Sequence, residues 1–305
     1  MDMQEFLMSK ESNVTLDDVN VPKNTLDEIR KHLIISPFTS ESIQSVGHVL
    51  LFGAPGTGKT FLSSAIAGEL KSATCFSLSY YEIKNESIVR ELFSQAEQRK
   101  PTLVFLDDIE VFSYSKDDVE NRITSEFLRQ LERLKVTNGS GVLVVGMTNK
   151  PWKLDPSILQ WFQHRIEIPL PDEDNRCEIF KTELDHAKVS LSEEQLLELG
   201  RRTSGFTGSD IVIVVRDALM EPIRTVQKAT HYMKVQENTK WAPCLPDAPG
   251  AVEMTWTDVR ADELLEPTAT FADLRKSLSN CRPSVDDDYL KRYAQFLQEA
   301  STASV

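Results

Sequence analysis

Gly53-Ala54-Pro55-Gly56-Thr57-Gly58-Lys59-Thr60 lies between an apolar run, His48–Phe52, and a helical pattern that continues to Leu70. This is G-x-x-x-x-G-K-T with a strand before it and a helix after it. Glycines at these positions let backbone N–H groups turn inward on an anion, and the helix N-terminus adds partial positive charge. Lys59 is placed to reach the β- and γ-phosphates of a nucleotide, and the Thr60 hydroxyl to ligate Mg²⁺. With Phe61 appended, Gly53, Ala54, Pro55, Gly56, Thr57, Gly58, Lys59 and Thr60 form the candidate nucleotide-binding run. A chance glycine turn is the alternative; four filled motif positions and two correct flanks argue against it.

A phosphate loop also needs a carboxylate on the metal side. Asp107 ends the apolar run Leu103-Val104-Phe105-Leu106 and suits that task, directly or through a metal-bound water. Asp108 could orient and polarise an attacking water. In isolation such an acidic pair reads as a turn; beside an intact phosphate loop it reads as catalytic. Asn149, ending the strand Gly141–Gly146 and its tail, could hydrogen-bond a γ-phosphate or that water, although Asn is also common at turns. The candidate catalytic set is therefore Lys59, Asp108 and Asn149, and the metal set Thr60 and Asp107.

The elements that must hold these residues alternate. Cys75–Leu78 suggests a second strand and Glu86–Gln98 a helix; Val119–Leu134 is helical through Ile123, Phe127, Leu131 and Leu134, and Ile166–Ile168 is a short last strand. That order predicts an α/β domain with a parallel sheet covered on both faces. Ahead of it, Met1–Ser36 is a polar tail with a helix near 24–34. After Pro169-Leu170-Pro171 the chain turns helical, over Asp172–Ala187, Ser192–Arg202 and Ser209–Met220, with Ser192 and Ser209 as N-caps. Residues 231–257 are rich in turns. Short strands around Trp241 and Val252–Thr255 predict a hairpin excursion. Past Asp286–Asp288, Tyr289, Leu290, Tyr293, Phe296 and Leu297 make one apolar helical stripe, suited to packing on its own domain or to a partner helix. The expected boundaries are 1–15 for the tail, 16–170 for the large α/β domain and 171–305 for a small helical domain with its β insertion and C-terminal helix.

Composition excludes several classes. The chain has 305 residues, 40% apolar and 27% charged, with a net charge of −13. Such acidity disfavours a general nucleic-acid binder, which needs a basic surface. Four cysteines lack C-x-x-C spacing and five histidines form no H-E-x-x-H pattern, so reduced thiols and no protein-built metal cluster are expected. Met1–Lys10 has no apolar signal core, and no run reaches the ~18 apolar residues of a membrane span.

The motifs together resemble an AAA ATPase of the vacuolar-protein-sorting type, which disassembles ESCRT-III filaments in endosomal sorting. The resemblance rests on Gly53–Thr60, Leu106–Glu110 (LDDIE), Val142–Leu154, Ile166–Asp172 (IEIPLPD), Thr203–Ile211 (TSGFTGSDI) and Asp217–Arg224 (DALMEPIR). Ala229–His231, Ala242–Cys244, Gly250–Pro267 and Arg282-Pro283 extend it, from about Leu16 to about Gln298. The stretch GAVEMTWTDVRADELLEP points to this branch over katanin, spastin and fidgetin. The resemblance implies a P-loop AAA+ large domain, a small helical domain with a short β excursion, and ATP with Mg²⁺ in the cleft between the domains. It places Gly208 and Ser209 near the nucleotide. It implies a hexameric ring, an ESCRT-III-like substrate, a co-activator at the β excursion, a C-terminal helix packed back on the large domain, and a cytoplasmic protein peripheral to endosomal membranes.

Departures accompany the likeness. Family members usually carry an N-terminal microtubule-interacting-and-transport domain, for which this chain has no room. Their second Walker B residue is Glu, where this chain has Asp108. Their first pore loop carries an aromatic residue before a glycine; the corresponding Tyr80–Ser87 is shorter, so Tyr80 and Tyr81 are weak stand-ins. The arginine cluster they supply to a neighbour's γ-phosphate is replaced by Leu159, Gln160 and Trp161. Arg165 follows the motif Phe162 and suits a structural ion pair; Arg165 or Arg122 is the competing source of a trans cation. Two functions follow: an ATP-driven remodeller with impaired self-activation, or a catalytically weak, nucleotide-binding regulatory subunit of a hetero-oligomeric ring. A small-molecule kinase is disfavoured, because no lid segment is evident.

Overall fold

The computed structural model describes residues 3–8, 14–35, 47–112, 118–136, 141–235, 239–260, 262–265 and 268–302. The chain forms two compact units, one of Met1–Pro171 with Val285–Val305 and one of Asp172–Ser284.

In the first unit the order is α1 (Lys23–Ile29, prolonged by a π-helical stretch to Ile35), β1 (His48–Phe52), α2 (Lys59–Glu69), β2 (Thr74–Ser79), α3 (Glu86–Gln98), β3 (Thr102–Asp107), α4 (Asp118–Val136), β4 (Val142–Thr148), α5 (Pro156–Leu159) and β5 (Phe162–Glu167). The five strands are parallel in the order β2-β3-β4-β1-β5. Because successive side chains in a strand point to opposite faces, each apolar run feeds two cores. Leu50, Phe52, Val104, Leu106 and Val144 meet Val89, Phe93, Phe127 and Leu131 of α3 and α4 on one face. Val49, Leu51, Leu103, Phe105 and Val145 meet Leu62 and Ile66 of α2, with Ile29 and Leu33, on the other. Burial on both faces explains why these strands read as continuous apolar runs.

Two features differ from the sequence expectation here. β5 starts at Phe162, not Ile166, because Phe162 and His164 pair with His48 and Val49 of β1. Tyr80 is buried against Phe112, with ring centroids 4.9 Å apart, whereas Tyr81 stays 72% exposed. Only one of the two rings is at the surface.

The second unit holds α6 (Glu173–His186), α7 (Glu193–Arg202), α8 (Gly208–Lys228), β6 (His231–Val235), β7 (Lys240–Pro243), β8 (Val252–Glu253) and α9 (Phe271–Asn280). Phe180, Leu184, Leu199, Ile211, Val214, Val215 and Leu274 form its core. Ser192 caps α7, as its position predicts, by accepting from the Gln195 N–H. The cap of α8 is Thr207 and not Ser209. Thr207 Oγ1 accepts from the Asp210 N–H at 3.2 Å while the Asp210 carboxylate accepts from the Thr207 N–H at 2.9 Å, a reciprocal box. The hairpin expectation also changes. β7 and β8 do not pair with each other; both pair antiparallel with β6, in the order β7-β6-β8. β6 is anchored by Tyr232, fully buried, whose hydroxyl donates to the Val226 carbonyl at 2.5 Å.

The last helix, α10 (Asp287–Thr302), packs on the first unit, as the resemblance implies, so the stretch 171–305 is shared between the two units. The reason is its aromatic stripe. Phe296 meets Phe52 edge-on at 5.7 Å, and Tyr293 and Tyr289 stack at 5.9 Å beside Trp152. Asp286 caps the helix by accepting from the Tyr289 N–H at 2.7 Å.

Candidate functional site

The sheet order places β1 between β4 and β5, so the chain leaving β1 runs back past β4 and β3 to β2, while the chain leaving β4 passes β1 to reach β5. At these neighbouring carboxyl ends the connections take opposite directions. In open α/β sheets the crevice at such a point is where ligands bind. Residues 53–60 follow β1, 107–108 stand at the end of β3 and 149 follows β4, all at the carboxyl edge of the sheet.

Loop geometry follows from its glycines. A Cβ at Gly53 would sit 2.1 Å from the Ile168 carbonyl oxygen, so only glycine lets the chain leave β1 this close to the end of β5. Gly58 has φ of +95°, a left-handed turn that opens α2 at Lys59. Thr57 Oγ1 donates back to the Ala54 carbonyl at 2.9 Å and closes the loop on itself.

Lys59 is buried and donates from Nζ to the Gly53 and Ala54 carbonyls, each at 2.9 Å. Burial lowers its pKa to about 8, opposed by Asp107, Glu110 and Asp108. An ammonium desolvated in this way, and balanced by loop carbonyls, gains strongly from an arriving phosphate charge. Next to it, Thr60 Oγ1 donates to Asp107 Oδ2 at 2.9 Å across 47 residues. A hydroxyl and a carboxylate converging from α2 and β3 are hard oxygen donors of the kind Mg²⁺ takes, so this pair fits that ion.

Asp108 adopts left-handed backbone angles, φ 56° and ψ 38°, which are rare outside glycine, Asn and Asp. Its N–H donates to Asp107 Oδ1 at 2.9 Å, and its own carboxylate accepts from Ser79 Oγ at 3.4 Å. Burial and then the neighbouring Asp107 raise its pKa, with Ser79, Lys59 and Lys150 pulling the other way. The turn reading and the site reading of this acidic pair thus coexist in one geometry.

Several residues that the motifs did not assign to the site complete the surroundings. Glu110 accepts from Thr148 Oγ1 at 2.6 Å, and Thr148 Oγ1 accepts from the Lys150 N–H at 3.0 Å. Tyr289 donates to the Asn149 carbonyl at 2.5 Å, and Tyr293 donates to Glu167 at 3.0 Å. Glu110 stands in LDDIE, three residues past the strand end, and its position was the available signal; nothing local announces Tyr289.

Other candidates fall elsewhere. Phe61 is 46% exposed at the start of α2. Gly208 and Ser209 open α8 in the second unit. Arg122 is exposed on α4, beside an open cavity of about 520 Å³ that Arg90, Glu126 and Arg129 also line. Arg165 makes no ion pair within reach of a carboxylate among the described contacts; its guanidinium donates to the Leu159 and Phe162 carbonyls, each at 3.4 Å. Leu159 and Trp161 pack against the first core, and Gln160 Nε2 donates to the Ser157 carbonyl at 2.9 Å.

Comparison with known proteins agrees with this architecture. Residues 49–170 match the ATPase family associated with various cellular activities (AAA), 193–237 the AAA+ lid domain, and 241–300 the Vps4 C terminal oligomerisation domain. Vacuolar protein sorting-associated protein 4B of Pongo abelii is 42% identical over 82% of this chain and 61% of its own length. The chain thus spans about three fifths of the first curated relatives it matches. Vacuolar protein sorting-associated protein 4 of Dictyostelium discoideum is 34% identical, covering 97% of this chain and 72% of that protein. Among solved structures, the FIGL-1 AAA domain in complex with ADP superposes with a TM-score of 0.77 at 26% identity, covering 97% and 94% of the two chains. A structure of katanin self-assembly gives 0.72 at 26% identity, covering 95% and 93%. With its P-loop sheet, lid helices and C-terminal oligomerisation match, the chain belongs to the AAA ATPase family, in the group of the vacuolar protein sorting-associated protein 4 relatives.

Proposed function

We propose that this chain hydrolyses ATP as a subunit of a hexameric AAA ring that takes apart ESCRT-III-like filaments, in endosomal sorting and membrane remodelling, and that its turnover needs an arginine from a neighbour. The observation that carries the first part is the convergence of Thr60 and Asp107 beside the buried Lys59. In this reading Lys59 holds the β- and γ-phosphates and Asn149 hydrogen-bonds the γ-phosphate. Thr60 and Asp107 hold Mg²⁺, which supplies neutralisation of the phosphate charge when bound. Asp108 orients the attacking water, and its raised pKa makes it a stronger base than a solvated Asp. Phe61 completes nucleotide contact on this unit; for Gly208 and Ser209 a nucleotide role rests on the family resemblance alone. The names of the relatives support a role in vacuolar protein sorting and the oligomerisation match supports the ring, while the filament substrate and the peripheral endosomal location rest on the family resemblance. No helix among the described residues is long and apolar enough to cross a membrane. The β excursion, residues 231–257, is the proposed co-activator surface.

The dependence on a neighbour rests on Leu159, Gln160 and Trp161, none of them cationic, and on Arg165, whose guanidinium is occupied by its own turn. Charge growing on the γ-phosphate oxygens needs a fixed cation from the adjacent chain. The same observation favours a second reading, a catalytically weak, nucleotide-binding regulatory subunit in a mixed ring. ATP turnover of the pure protein, and of a mixture with an arginine-bearing relative, separates the possibilities. The expected result is low turnover alone and a gain on mixing that disappears with Lys59→Ala in this chain. A mixture in which Lys59→Ala leaves the gain intact supports the regulatory subunit. Brisk turnover of the pure protein, abolished by Arg165→Ala or Arg122→Ala with assembly intact, would refute the dependence.

A further inference from the structure

Asn149 is gripped from two sides. On one side Thr148 is tied through its hydroxyl to Glu110, on the turn that carries Asp107 and Asp108, and to the Lys150 N–H. On the other, the Tyr289 hydroxyl reaches across 140 residues of sequence to donate to the Asn149 carbonyl at 2.5 Å. The phenol cannot drift, because Trp152 meets its ring edge-on at 5.0 Å and Tyr293 stacks on it at 5.9 Å. Tyr293 is in turn bonded to Glu167 at the end of β5. Burial, and secondarily Glu110, hold the Tyr289 pKa above its usual range, so the hydroxyl remains a donor.

A carbonyl held from outside restrains the plane of the peptide that leaves Asn149, and with it the stretch of backbone from which the Asn149 side chain departs. Packing alone would be served equally well by phenylalanine. The hydroxyl has a use only because the carbonyl is there.

We propose that Tyr289 is a positioning residue for Asn149, through which α10 sets the preference of the nucleotide site for a triphosphate over a diphosphate. This role rests on the nucleotide reading given above. Without the hydroxyl, the carbonyl loses its partner and the amide is free to shift; displacement of about 1 Å at a reacting centre can cost up to about 10²-fold. A contact to one phosphate group should lose less, about three- to tenfold.

The test uses the full chain with Mg²⁺ and compares the affinity for ATPγS with that for ADP. Tyr289→Phe is expected to weaken ATPγS about three- to tenfold while leaving ADP within about twofold, and to add no further loss in an Asn149→Ala background. Ser279→Ala removes a bond from a side-chain hydroxyl to a backbone carbonyl in the second unit and should leave the ratio unchanged. Equal losses for both nucleotides, an unchanged ratio in Tyr289→Phe, or additive losses in the double variant overturn the proposal. A wild-type chain that binds neither nucleotide overturns the nucleotide reading itself, and this role with it. Hydrogen exchange on the unmodified chain serves if Tyr289→Phe does not fold. Segments 149–152 and 287–293 should gain protection together with ATPγS relative to ADP, and protection of one without the other overturns the coupling.

Discussion

The carboxyl ends of β1, β3 and β4 and the turn that leads into β5 lie on the same unit and have had different fates. At the strand ends polar groups converge: Lys59 on the loop carbonyls, Thr60 on Asp107, Ser79 on Asp108, Thr148 on Glu110. At the turn, the positions that the resemblance assigns to arginines are spent on packing. Leu159 and Trp161 join the first core, Lys135 Nζ lies 5.6 Å from the centre of the Trp161 ring, and Gln160 closes onto its own helix. The fold tolerates this exchange, because a turn can be stabilised by apolar contact as well as by charge. On the proposed reading the chain keeps the half of the machinery that receives and gives up the half that donates.

The contrast is broken most severely by restoring cations to the turn. Gln160→Arg with Trp161→Arg should raise turnover of an assembled homo-oligomer by about 10²–10³, below the 10³–10⁵ of an evolved arginine finger because Trp161 leaves its packing. Phosphate release measured alongside light scattering checks this, and no gain in an assembled ring locates the deficit elsewhere. From the other side, Lys59→Ala removes a buried positive charge and should weaken Mg-ATP binding by about 10²-fold or more, read by calorimetry. Asp108→Glu extends the carboxylate by one methylene and should raise turnover about tenfold in a ring that contains a trans arginine; an equal or lower rate there shows that carboxylate reach is not limiting.

Finer effects sharpen the comparison. Free Lys59 titrates near pH 8, and bound phosphate must raise that value. Below pH 8 both states are protonated and affinity is flat. Above it the site takes up a proton on binding, so ATP affinity should fall about tenfold per pH unit. Calorimetry at pH 9 in buffers of different ionisation enthalpy would count that proton, and none counted excludes Lys59 as the titrating group. Smallest of all, Arg165→Ala removes two long bonds to its own turn from an exposed side chain and should change turnover by less than about twofold.

Legibility tracked sequence distance. Gly53–Thr60, the apolar run into Asp107 and the periodic helices α3 and α4 depend on neighbours within a few residues, so spacing alone exposed them. So did the cap at Ser192. Thr207 was missed in favour of Ser209 because both are good caps; the choice was made by Asp210, whose carboxylate returns to the Thr207 N–H. β6, His231–Val235, carries little apolar alternation and becomes a strand because β7 and β8 pair to its two edges.

By itself, then, the sequence determined the phosphate loop, the acidic strand end, the alternation that builds a parallel sheet and the absence of a cationic side chain at 159–161. These are matters of residue type and local hydrogen bonding. Tertiary structure alone decided that Tyr80 is core while Tyr81 is surface, that Trp161 and Leu159 belong to a core, that Arg165 is held by its own turn, and that α10 closes on β4 through Tyr289 and Asn149. The physical reason is common to all four. Each depends on groups that the folded sheet brings within a few ångströms, and a pattern read along the chain carries no record of which distant partner will arrive.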